Sequence, residues 1–257
     1  MELVKSAGKK TSLVSEVLYI GFNASLATGV LLLVLFGLPT LAFLLVIISK
    51  WRVFAVRPRF WWANIKANLL DLLLGLSAVT MMLQASNVVW LQVIIALLYA
   101  LWLIVLKPRS DRRSILIQAG VAQFMAITAL YSVSFDWPAI LVVACMWLVG
   151  YISAQHAISS YEDSDVTLLS LAWGLIVAEL GWLAYSWTIA YSVAPAGIFK
   201  IPSIAFIVTL LAYFAAQAYR QYAIKGKLRL NDVTIPAIFS GSIILIIIIF
   251  FNDISRG

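Results

Sequence analysis

Seven apolar stretches of roughly twenty residues follow one another between residue 60 and the carboxyl terminus, and they leave few options for what this chain can fold into. A helix rises about 1.5 Å per residue, so about 20 apolar residues cross the roughly 30 Å hydrocarbon layer of a bilayer. The stretches run over residues 62–83, 88–106, 114–133, 138–159, 166–192, 201–222 and 235–251. Between them stand Ser86-Asn87, Lys107-Pro108, Asp136-Trp137-Pro138, Ala194-Pro195-Ala196-Gly197 and a polar run over 225–232, all of them turn or exit signals. A backbone in lipid must satisfy its own hydrogen bonds, so the pattern predicts an all-α polytopic transmembrane bundle. Composition excludes a water-soluble alternative: 63% of the 257 residues are hydrophobic and 11% charged, where soluble domains carry about 25% charged residues.

The stretch from 15 to 49 is too long for one span and short for two, and Gly37-Leu38-Pro39 interrupts it. Proline breaks the helical hydrogen-bond ladder, so a tight hairpin over 15–56 is expected. That hairpin places Lys5, Lys9 and Lys10 on the same side as Lys50, Arg52, Arg57 and Arg59. With nine spans, sixteen of the Lys and Arg residues collect on one side and only Lys200 and Arg256 on the other. By the positive-inside rule the amino terminus is cytoplasmic and the carboxyl terminus outside. Residues 1–14 then form a cytoplasmic segment and 15–257 a single membrane domain, with eight spans as the alternative count. The net charge of +7 belongs to this orientation signal, and no nucleic-acid partner is expected. The bilayer is the certain partner, with a second membrane protein as a further candidate.

Charge is expensive in hydrocarbon, so acids deep in a span point toward function. Asp71 and Glu179 are both placed near the middle of their helices by residue count. No Lys or Arg is expected at either depth, so each must be held neutral or find a donor. Asn64, Asn68 and Asp71 recur at helical spacing and form one polar stripe. Ser170, Gly174, Ala178 and Gly181 form a small-residue face suited to close helix packing. Glu179 lies beside that face and is expected to point into the bundle. These four polar residues, Asp71, Glu179, Asn68 and Asn64, are the candidate substrate- or ion-binding set.

A different cluster follows the sixth expected span: His156, Ser159, Ser160, Tyr161, Glu162, Asp163 and Asp165. Its oxygen ligands suit a divalent cation, with His156, Glu162, Asp163 and Asp165 as candidate ligands, or the acids simply start the next helix. No other cofactor is expected. The single cysteine, Cys145, allows no internal disulfide. No glycine-rich phosphate loop is present, so the chain does not drive itself with nucleotide.

Across 156–187, with Tyr161-Glu162-Asp163, Trp173-Gly174-Leu175 and Ala178-Glu179-Leu180-Gly181-Trp182, the chain resembles uncharacterised multi-pass membrane proteins of small-genome, candidate-phylum bacteria. The resemblance covers about the last hundred residues. It implies a prokaryotic plasma membrane and carries no activity across. Three functions follow from the residues: small-solute or ion transport with a proton or cation at Asp71 and Glu179; a non-catalytic membrane subunit; and an enzyme on lipid-linked substrates at the acidic loop. Transport is the leading expectation, and an enzyme the least favoured.

Overall fold

At Gly37-Leu38-Pro39 the first apolar stretch reverses direction. Gly37 takes a left-handed φ of +71°. Its N–H bonds Val34 O and the Leu38 N–H bonds Leu33 O, a pairing that satisfies the last carbonyls of the preceding helix. The proline then opens the next helix, where a missing N–H costs nothing. In the computed structural model, which describes residues 13–86, 88–161, 165–186, 191–193 and 200–250, this turn joins α1 (Leu13–Leu35) to α2 (Pro39–Ile48). There follow α3 (Trp61–Gln84), α4 (Val89–Leu101), α5 (Arg112–Val133), α6 (Ala139–Ile158), α7 (Val166–Ser186), α8 (Ser203–Lys225) and α9 (Leu230–Phe250).

The protein is therefore a multi-pass helical membrane protein. Among the described residues, eight helices are long and apolar enough to cross a membrane, counting α4 together with a π-helical turn at Trp102–Leu106 that extends it. The hairpin forms as expected, but its second arm is short. At about 1.5 Å per residue, the 10 residues of α2 cover about 15 Å, half of a hydrocarbon layer. Two 3-10 turns, Trp51–Phe54 and Pro58–Phe60, carry the chain on to α3. Of the apolar run over 166–192, α7 covers the described residues Val166–Ser186, and Tyr191 and Ser192 belong to a strand. Tyr191–Val193 then pairs antiparallel with Lys200–Pro202 in a two-stranded ribbon, Ser192 opposite Ile201.

Two apolar cores lie on either side of α5. The first joins α1 to α4 through Val30, Val46, Leu74, Ala78, Met82 and Tyr99, and Ala122 of α5 reaches it. The second joins α5 to α8 through Ile127, Tyr131, Met146, Val177 and Val208. In the second core small residues on both α6 and α7 let the two helices approach closely. A Cβ on Gly150 would lie 2.7 Å from Val177 Cβ, and one on Gly181 would lie 2.6 Å from Met146 Cγ. The Tyr131 hydroxyl donates to Gly181 O at 2.7 Å, tying α5 to the same face. Helix α9 packs mainly on α8 and is otherwise uncovered; Lys225 and Asp232 form an ion pair across the turn between them.

Candidate functional site

Asp71 is the centre of the most polar place in the bundle. It lies on α3 one turn from Leu74, where the apolar core begins, and its side chain is 9% exposed. Its Oδ2 receives the ammonium groups of Lys50 and of Lys107, the latter at 2.6 Å. The Trp102 indole N–H donates to Oδ1 at 3.0 Å. The expectation that Asp71 has no cation at its depth is thus corrected: it is held by two.

Local helix geometry explains how both cations arrive. Lys50 follows α2, which stops halfway through the layer, so its charge begins at membrane depth instead of beyond it. Lys107 and Trp102 stand five residues apart, too far round an α-helix to share a face. The turn between them is π-helical, and the Lys107 N–H bonds Trp102 O at 2.8 Å. Bonding from i to i+5 stacks the two residues, and both side chains reach Asp71.

Lys107 follows the α4 segment, so Asp71 lies within a lysine side chain of a helix end. Asn68, expected on one stripe with Asp71, does share its cavity; Asn64 contributes only its carbonyl, which accepts from Asn68 Nδ2 at 2.9 Å.

A cavity of about 140 Å³ opens beside Asp71, lined by Asn68, Trp102, Lys107, Gln118 and His156 among others. Gln118 organises its far wall. Its Nε2 donates to Leu106 O at 2.6 Å and to Arg109 O at 2.9 Å, satisfying carbonyls at the end of the π turn. Its Oε1 is 2.9 Å from His156 Nε2, and since that oxygen only accepts, the imidazole donates. His156 is therefore engaged in this wall. Of its expected companions in a metal site, Asp165 is exposed before α7, while Glu162 and Asp163 lie outside the described residues. Among the described residues no group of three His, Cys, Asp or Glu side chains could hold a metal ion.

Glu179 lies elsewhere. It does not line this cavity, and it is exposed on the outside of α7. The expectation that it points into the bundle is corrected by helical geometry. At roughly 100° per residue it is about 100° from Ala178, about 160° from Gly181 and about 180° from Ser170. Those three are buried against the bundle, so Glu179 faces away from it. It makes no hydrogen bond or ion pair with another described residue. Leu168, Leu175, Ile176, Trp182 and Leu183 surround it on the same exposed surface.

Sequence inspection missed Lys50, Lys107 and Trp102, because a lysine at the end of an apolar run looks like an orientation signal. One clue was available. The apolar run from Pro39 to Ile48 is too short to cross, so the lysine that follows it must be buried.

The fold and this pocket define a polytopic α-helical membrane protein with a charged cavity near one end of its bundle. No family model matches the chain, and neither curated proteins nor solved structures provide a match.

Proposed function

We propose that the chain is a non-catalytic subunit of a membrane complex, docking through the outer face of α7 onto a partner transmembrane helix. One observation carries this reading: Glu179 stands in the middle of a lipid-facing surface without a described partner. A carboxylate in that position is costly unless a donor meets it. Its apolar neighbours Leu175, Ile176 and Trp182 give a helix a surface to pack on, and the acid selects one that carries Lys, Arg or an amide or hydroxyl donor at matching depth. A second copy of this chain fits less well, since it would bring a second acid to the first. The plasma membrane of a prokaryote is the expected location.

A photo-crosslinking residue at Trp182, expressed in the native cell, tests the proposal against a control residue at Ile249 on α9. The expected outcome is a discrete adduct from Trp182 to a protein with a donor-bearing transmembrane helix, lost in Glu179→Leu. An adduct that persists unchanged in Glu179→Leu, or one at twice the mass of this chain, overturns it.

A second reading, solute or ion transport, draws on the half-length α2 ending beside the Asp71 cavity, since broken helices at membrane depth frame many transport sites. It predicts loss of flux in proteoliposomes for Asp71→Asn with Glu179→Gln unaffected, because only Asp71 lines the cavity.

A further inference from the structure

We infer that the cavity between α3, α5 and α6 binds a phosphate-bearing anion through Lys107 and Asn68, which line it, with Lys50 paired to the Asp71 carboxylate at its edge. The charges facing it do not balance. Two ammonium groups meet one carboxylate, and His156, already donating to Gln118, adds no negative charge. One positive charge is left over at the edge of the cavity, where the partly exposed Lys107 is open to an anion.

The donors do not balance either. An ammonium carries three N–H bonds, and among the described residues Lys50 and Lys107 each spend only one, both on the same Asp71 oxygen. Asn68 Nδ2 retains a second N–H beyond its bond to Asn64 O. Trp102 and Gln118, by contrast, are committed, so they fix the walls and do not compete for the ligand.

Space and access are suitable. The cavity of about 140 Å³ would hold about four waters at about 30 Å³ each, enough for a phosphate group in their place. Lys107, which lines the cavity, is 34% exposed, so its ammonium is open to an entering ligand, while Lys50, 11% exposed, does not line it and is held on Asp71. Asp71 holds both ammonium groups in position, and its charge is offset by them, so an approaching anion meets net attraction. Tetrahedral oxygens accept from several N–H groups at once, which suits phosphate better than a halide. Exposed Trp51, Phe54 and Phe60, with Arg57 and Arg59 among them, sit on the turns that lead into α3. Such aromatic and basic residues belong at the headgroup level of a bilayer, where phosphate is abundant.

Two sources share this chemistry, a phospholipid headgroup and free phosphate. Purified protein in nanodiscs of phosphatidylcholine with or without phosphatidylglycerol is analysed by native mass spectrometry for retained lipid, and inorganic phosphate is titrated separately with the melting temperature as readout. Wild type should retain phosphatidylglycerol, or respond to inorganic phosphate but not chloride; the first result assigns a lipid, the second a soluble anion. Lys107→Gln should weaken binding about tenfold, which corresponds to about 1.4 kcal/mol, while Lys50 continues to pair Asp71 and the fold is kept. Asn68→Leu, which fills the cavity without changing charge, should do the same. Binding that falls in Lys107→Gln but is untouched in Asn68→Leu reflects surface charge alone and overturns the assignment, as does unchanged binding in both variants, or no binding of either probe.

Discussion

Asp71 and Glu179 look alike in the sequence, each a lone acid in an apolar helix, yet the fold treats them in opposite ways. Asp71 is buried on α3 with two lysines and an indole around it. Glu179 is turned outward on α7 with nothing described to meet it. The difference comes from the neighbours. At the α3 corner a half-length helix and a π turn deliver cations to membrane depth. On α7 the small residues occupy the face that packs on α6, and the acid is left on the other. One acid completes the chain's own interior, and the other is available to something else.

The largest test of that contrast is Asp71→Leu. Removing the shared partner strands the largely buried Lys50 ammonium and the partly exposed Lys107, and the unfolding free energy in mild detergent should fall by about 3–5 kcal/mol. A loss under about 1 kcal/mol would put the triad at the surface, where ion pairs contribute little. Gly75→Val probes the helix that carries the triad. A Cβ on Gly75 would lie 2.7 Å from Val46 Cγ1 and 3.0 Å from Tyr99 Oη. Forcing α2 and α4 apart should cost about 3 kcal/mol, and Lys50 should become reactive to amine-modifying reagents. Gln118→Leu removes the donor to two helix-end carbonyls and the acceptor for His156, with an expected loss of about 1–2 kcal/mol by the same unfolding measurement.

A smaller effect lies at the start of α5, outside the spanning segment. Hydrogen bonds from the hydroxyl and backbone N–H of Ser114 hold the Asp111 carboxyl below its ordinary value. Its contribution is thus fully present above about pH 4 and is lost as pH falls through the lowered folded-state value. A slight acid-side drop in melting temperature should disappear in Asp111→Ala. The smallest effect sharpens the comparison most. Glu179→Leu should leave the isolated chain's stability within about 0.5 kcal/mol of wild type, in contrast to Asp71→Leu. A large loss would show that Glu179 has an internal role.

Much of the architecture was legible because lipid permits so few solutions. Span positions, the Gly37-Leu38-Pro39 turn and the close-packed face of α7 all follow from local pattern. Two things were not. The pairing of Asp71 depended on where Lys50 and Lys107 arrive beside α3, a tertiary placement that residue counting along one helix does not contain. The side on which Glu179 emerges depended on which face of α7 meets α6. The spacing of Ser170, Gly174, Ala178 and Gly181 held that answer, but only if the roughly 100° step from Ala178 to Glu179 is taken as decisive.

The half-length α2 has a consequence for how the molecule is made. A ribosome releases residues in order, so Lys50 reaches the bilayer before Asp71 does. Only when α3 has been threaded does that ammonium find its carboxylate, and only the arrival of Trp102 and Lys107 finishes the cluster. The amino-terminal quarter of the chain is thus provisional at birth, and a later helix makes its placement permanent.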